Sequence, residues 1–145
     1  MITVLLADDH AYIRNGVQYL LEATQHIEVV ATAANGIEAV AKARLLQPHV
    51  VVIDISMPFM SGIEATKQIR ACCPRTHVLA LSIYPDKEYI QGALQAGAYG
   101  YVLKDRIGDE LLEAIISIYS GKRYFSRKIT GMIHPDLEDN DSWAS

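Results

Sequence analysis

Val50-Val51-Val52-Ile53-Asp54-Ile55-Ser56-Met57-Pro58 is the stretch whose reading decides the fold. A continuous β-branched run is what a strand buried on both faces looks like, and such strands sit at the centre of parallel sheets. The run ends on a carboxylate. Met57-Pro58 then blocks further regular pairing, so Asp54 should stand at the carboxyl end of its strand. Open α/β sheets keep their ligand crevices outside those ends, which makes Asp54 the first candidate for chemistry.

Working outward, strand and helix signals alternate along the whole chain. Ile2 to Ala7 is a short apolar run ending in Asp8-Asp9-His10, and Ile13, Val17, Leu20 and Leu21 then recur at helical spacing. Ile27 to Ala33 reads as a second strand. Asn35 stands three residues before Glu38, a loose capping box, and the helix it opens is predicted to bury Ile37, Val40, Ala41 and Leu45. After the key strand, Ser61-Gly62-Ile63-Glu64 matches the capping box directly and opens a helix that ends before Pro74. His77 to Ser82 is the fourth strand. Pro85-Asp86 starts a helix carrying Tyr89, Ile90, Ala93 and Leu94, with Gly97 suited to a left-handed cap. Ala98 to Leu103 is a fifth strand, and it ends at Lys104. The last helix carries Leu111, Leu112, Ile115, Ile116 and Tyr119 as its apolar stripe, with Asp109 and Glu110 in its first turn, where the helix dipole favours acids.

Five strand and helix units with short links predict an α/β fold, a doubly wound five-stranded parallel sheet with helices on both faces. Residues 1–121 form this domain. Residues 122–145 are too few for a core of their own and are expected to be a linker or tail. The 145 residues, 50% hydrophobic and 21% charged, suit one ordinary globular domain. A net charge of −4, with Lys and Arg scattered, argues against direct nucleic-acid binding. No apolar run approaches the ~20 residues of a membrane span and the N-terminus lacks signal-peptide flanks, so a cytoplasmic location without membrane contact is expected. Cys72 and Cys73 are sequence neighbours with poor geometry for bridging each other, and reduced thiols are expected.

Asp8, Asp9, Asp54, Ser82 and Lys104 come from four strands, yet each closes its own strand, and parallel strands bring those ends to one edge. Three gathered carboxylates repel one another and should raise at least one pKa. A hard divalent cation relieves that repulsion, and a shallow acidic cup with room for water is how Mg²⁺ is held. Asp54 can then act as a nucleophile on phosphorus, forming an acyl phosphate, with Lys104 and the Ser82 hydroxyl meeting phosphoryl oxygens. No Gly-rich loop is present to hold a nucleotide, so a donor such as phosphohistidine fits. The acid that phosphohydrolases usually carry two residues after the nucleophile is replaced by Ser56, so turnover should be slow. A flavin or nucleotide site would need a neutral phosphate loop where Asp8-Asp9 stands.

At these residues the sequence resembles the receiver domain of bacterial response regulators, over residues 2–121. The resemblance implies a flavodoxin-like strand order of 2-1-3-4-5. It implies that Asp54 accepts the phosphoryl group from a sensor histidine kinase, and that Asp9, Asp54 and the Ser56 backbone carbonyl ligate Mg²⁺ with Asp8 acting through water. Ser82 and Lys104 would contact the phosphoryl group, and Ser82 with Tyr101 would form a conformational switch. Any activity of its own would be limited to slow self-phosphorylation and self-dephosphorylation, a signalling rather than an enzymatic role. Gly100-Tyr101-Val102-Leu103-Lys104-Asp105 is similar to the NarL/FixJ (LuxR-type) subfamily, and Gly121-Lys122-Arg123-Tyr124-Phe125-Ser126 resembles the start of its interdomain linker. Asp105 stands where many receivers have proline. The subfamily's helix-turn-helix domain is not encoded here, so the chain is expected to be either a stand-alone receiver or a piece of a longer transcription regulator. Output would pass to that domain, to another partner or to a second copy of the chain, through a face carrying Tyr84, Tyr89, Tyr101 and Tyr119.

Overall fold

Each apolar run becomes a strand of one parallel sheet. The computed structural model describes residues 1–132. Its strands are β1 (Ile2–Ala7), β2 (Ile27–Ala33), β3 (Val50–Asp54), β4 (His77–Ser82), β5 (Gly100–Leu103) and β6 (Tyr124–Phe125). Its α-helices are α1 (Ala11–Glu22), α2 (Gly36–Leu46), α3 (Gly62–Cys72), α4 (Lys87–Gln95) and α5 (Leu112–Tyr119). All neighbouring strands pair in parallel, in the order β2-β1-β3-β4-β5-β6. The predicted order of five therefore holds, and one more strand is added at its edge.

Side chains alternate across the sheet, so every central strand feeds two cores. Val4, Leu6, Val50, Val52, Leu79 and Leu81 pack with Val17 and Leu21 of α1 and with Ala114, Ile115 and Ile118 of α5. Leu5, Ala7, Val51, Ile53 and Val78 face the other way, against α2 and α3. A third cluster joins Ile90, Ala93 and Leu94 of α4 to Ala80, Tyr101 and Leu103. Helices thus cover both faces.

The predicted caps are in place. The Asn35 side chain accepts from the Glu38 amide at 2.9 Å, and Ser61 Oγ accepts from the Glu64 amide at 3.2 Å. Gly97 has φ +109°, the left-handed conformation expected of it. Two predicted helix stripes are rotated. In α2 the buried residues are Gly36, Ala39, Val40 and Ala43, while Ile37 and Leu45 are exposed. Small residues let this helix lie close to its neighbours, which outweighs the larger apolar side chains. In α5 Ile116 and Tyr119 are half exposed, and Ala114 and Ile118 are buried in their place.

The segment after α5 differs most from expectation. β6 pairs with β5, and Phe125 and Ile129 are buried against Tyr101 and Leu103 in the α4 core. A linker or tail was expected throughout 122–145, but residues 124–132 include this strand and a 3₁₀ helix, Arg127–Met132. The remainder of that predicted tail lies outside the described residues.

One close approach fixes the key loop. Gly62 opens α3 against the end of β3, its amide donating to the Ile55 carbonyl at 3.1 Å, and a Cβ there would overlap the Asp54 carbonyl oxygen. Gly62→Ala should therefore destabilise the fold by about 1–3 kcal/mol, as overpacking against backbone does. Urea unfolding checks this; an unchanged midpoint would show that the loop can move aside freely.

Candidate functional site

The strand register alone brings the acids together. Ala7 pairs with Ile53, so Asp8 and Asp54 are the next positions on neighbouring strands. Ser82 pairs with Leu103, so Lys104 follows one step beyond β5. Asp8 and Asp54 are buried, and Asp9 is exposed at the rim.

Lys104 closes the cup. Its Nζ lies 2.9 Å from Asp54 Oδ2 and 2.9 Å from Asp8 Oδ2. The first contact is a hydrogen bond; the second is a charge contact without that alignment, and Asp8 Oδ2 has no hydrogen-bond donor although it is buried. Asp54 Oδ1 accepts from the Ser56 amide at 3.0 Å, which turns the β3–α3 loop around the carboxylate. Asp8 Oδ1 accepts from the His10 amide at 2.9 Å.

Carboxylate oxygens of Asp8, Asp9 and Asp54 and a ring nitrogen of His10 all lie within 4.8 Å of one another. A divalent cation fits this donor set, because hard oxygens surround an orphaned buried lone pair on Asp8. His10 joins the acids from the exposed rim. It starts α1 without a side-chain cap bond, and its Nδ1 approaches Asp9 Oδ1 at 3.1 Å and Asp8 Oδ1 at 3.2 Å. Adjacency to Asp8-Asp9 was the signal available for it.

Ser82 and Tyr101 form a second group beside the acids. The Ser82 Oγ is buried and accepts from the Tyr84 amide at 2.9 Å. Tyr101 is fully buried and donates its hydroxyl to the Tyr84 carbonyl at 2.7 Å, so the two side chains meet on the backbone of Tyr84. Burial pushes the Tyr101 phenol up to about 12, so it remains a donor throughout the physiological range. Tyr84 stacks on Tyr89, with ring centroids 4.0 Å apart. Tyr119 does not join this aromatic group; it meets the ring of His49 edge-on at 5.0 Å, and His49 precedes β3 at the opposite end of the sheet. No peptide bond is cis among the described residues, Lys104-Asp105 included.

Residues 4–116 match the family model described as the response regulator receiver domain. The chain belongs to the response regulator receiver family. It is 36% identical to a LuxR-family two-component response regulator from Aurantimonas sp. SI85-9A1, with a TM-score of 0.85 over 89% of this chain and 92% of that one. Among curated relatives it is 39% identical over 140 residues to the oxygen regulatory protein NreC of Staphylococcus aureus, and 38% identical over 133 residues to the transcriptional regulatory protein LnrK of Bacillus subtilis. Those matches cover 96% and 92% of this chain but only 64% and 60% of the relatives, so the receiver spans less than two thirds of their length. It is a receiver domain of the LuxR type.

Burial raises the Asp54 carboxyl above its ordinary 3.8, and the opposing pull of the Ser56 amide and of Lys104 does not cancel it. Burial acts the other way on the Lys104 ammonium, but the Asp54 hydrogen bond and the Asp8 charge prevail and hold it above its ordinary 10.5. A carboxyl with a raised folded pKa keeps a proton that the unfolded chain has already lost. Stability must therefore fall as pH climbs from about 3.8 through the raised value. Asp54→Asn removes that penalty. In the presence of a chelator, urea unfolding should show the variant more stable than wild type at neutral pH, with the gap closing as pH falls towards 3.8. A variant less stable at neutral pH would contradict burial as the dominant influence on Asp54.

Proposed function

We propose that this receiver takes a phosphoryl group onto Asp54 from the phosphohistidine of a sensor histidine kinase, and uses the resulting acyl phosphate to control an output. The observation that carries this is the single ammonium of Lys104, placed 2.9 Å from both buried acids, Asp8 and Asp54. One lysine balances one carboxylate. The remaining negative charge, with Asp9 and the orphaned oxygen of Asp8 beside it, suits Mg²⁺ held by Asp8, Asp9, Asp54 and the Ser56 backbone carbonyl. When bound, the cation would offset the charge of the acids and of the phosphoryl oxygens they face.

The chain's own groups do the rest. An Asp54 carboxylate oxygen forms the new bond to phosphorus, while the bond from phosphorus to the donor nitrogen breaks and its electron pair stays on the imidazole. A carboxylate needs no base for this step. The Ser56 amide and Lys104 orient Asp54 beforehand, and Lys104 can turn from the carboxylate to a phosphoryl oxygen as charge builds there. Ser82 supplies a hydroxyl from the neighbouring strand, and its link to Tyr101 through the Tyr84 backbone offers a path from the new charge to the α4 side of the fold.

This is a signalling role, with at most slow phosphoryl gain and loss by the domain itself. The names of the relatives support transcription as the output, exerted through the part of such regulators that this chain does not span, and a second copy of the chain is a further candidate partner. A cytoplasmic setting agrees with the absence, among the described residues, of a helix long and apolar enough to cross a membrane.

Incubation with acetyl phosphate and Mg²⁺ followed by intact mass tests the proposal. Wild type should gain one phosphate and Asp54→Asn none, while Lys104→Ala should gain it about a hundredfold more slowly, as loss of one preorganised donor predicts. Equal labelling of Asp54→Asn would place the acceptor elsewhere.

A further inference from the structure

Two polar side chains outside the acidic cup are as deeply buried as the acids themselves. Ser126, on the segment after α5, and Glu110, between β5 and α5, both have 0% exposure. Neither has a part in the phosphoryl chemistry described so far, and burying a hydroxyl and a carboxylate is unfavourable unless each is fully bonded.

Their partners lie on either side of Lys104. The amide of Leu103, the residue before it, donates to Ser126 Oγ at 2.9 Å, so a side-chain oxygen takes over where β6 stops. The Ser126 hydroxyl also lies beside the Glu110 carboxylate and favours its charged form. Glu110 also accepts from Arg106 Nε, two residues after Lys104, at 3.1 Å, and from the Tyr124 hydroxyl at 3.2 Å. Leu103 is thereby tied to Ser126 and Arg106 to Glu110, two buried side chains joined through the Tyr124–Ser126 stretch of chain, and the turn that carries Lys104 is pinned at both ends. The Ser126 amide adds a bond to the Tyr101 carbonyl at 2.9 Å, and the ladder is so tight that a Cβ at Gly100 would lie 2.6 Å from the Tyr124 carbonyl. Lys104 itself leaves β5 through a 3₁₀ turn, Lys104–Arg106, followed by a wide π turn, Ile107–Leu111. Neither element is long enough to hold a lysine in place unaided.

We propose that Ser126, acting with Glu110, is a positioning residue for Lys104, so that the segment following α5 belongs to the working parts of the receiver. This rests on the assignment of Asp54 as phosphoacceptor. Ser126 touches no reacting atom; it holds the backbone from which the ammonium reaches Asp8 and Asp54. Loss of its oxygen leaves the Leu103 amide buried without an acceptor, and the strand end must shift to satisfy it. Displacement of a catalytic group by a fraction of an ångström is enough to slow a transfer.

The test uses the full chain with Ser126→Ala, and Ile129→Val as a packing control in the same segment that leaves the Leu103 bond intact. With acetyl phosphate and saturating Mg²⁺, Ser126→Ala should gain phosphate on Asp54 roughly tenfold more slowly than wild type, and Ile129→Val within about twofold of it. The Mg²⁺ concentration giving half the maximal rate should be unchanged in both, because the acids of the cup are untouched. In metal-free protein, the ammonium proton signals of Lys104, protected by its carboxylate partners, should broaden in Ser126→Ala and persist in Ile129→Val. Wild-type labelling by Ser126→Ala, equal slowing in the two variants, or an unaltered Lys104 signal in Ser126→Ala would each overturn the role. Failure of wild type itself to take phosphate on Asp54 would instead refute the underlying assignment.

Discussion

Two buried carboxylates share one ammonium. Asp8 and Asp54 are forced side by side by the register of β1 on β3, and Lys104 reaches both from the end of β5. Burial of a charge is tolerated only when it is paired, and here the pairing is incomplete by one charge, with Asp9 and His10 at the rim and one Asp8 oxygen lacking a donor. The surrounding architecture serves that arrangement. Parallel strands put all the ends on one edge, the apolar alternation of β1, β3 and β4 locks their register between two cores, and the Gly62 contact folds the β3–α3 loop back onto Asp54.

Much of this could be read from the sequence because the signals were local. A β-branched run ending in Asp54, short apolar runs ending in Asp8-Asp9, Ser82 and Lys104, and caps at Asn35 and Ser61 each announce themselves within a few residues. What escaped depends on partners distant in the chain. Glu110 looked like an acid favouring a helix dipole, yet it is buried because Arg106, Tyr124 and Ser126 converge on it. Tyr124-Phe125 is too short for any periodicity, and it becomes a strand only because β5 presents an open edge. The rotated stripes of α2 and α5 reflect packing of small residues, which hydrophobicity alone ranks below Ile37 or Ile116. Ala39 and Ala43 win because they let backbones approach.

The same geometry joins the acidic edge to the rest of the molecule. Ser82 and Tyr101 both bond the Tyr84 backbone, Tyr101 is in the core shared by α4, Phe125 and Ile129, and Ser126 bonds both Tyr101 and Leu103. A charge added at Asp54 therefore acts on Lys104 and Ser82 first, and both are connected by hydrogen bonds to β5 and to the segment that follows α5. Two discrete hydrogen-bonding arrangements of such a network are what a switch requires.

Asp8, Asp9 and Asp54 meet beside Lys104 in a cluster that could hold a divalent cation, the site on which the proposed phosphoryl transfer depends. Titration of ¹⁵N-labelled protein with Mn²⁺ in place of Mg²⁺ tests it directly, because the paramagnetic ion broadens only nearby amides. Selective loss of the signals of residues 8–10, 54–56 and 104, reversed by excess Mg²⁺, is the predicted result. Broadening centred elsewhere, or spread evenly over the surface acids, would contradict the account.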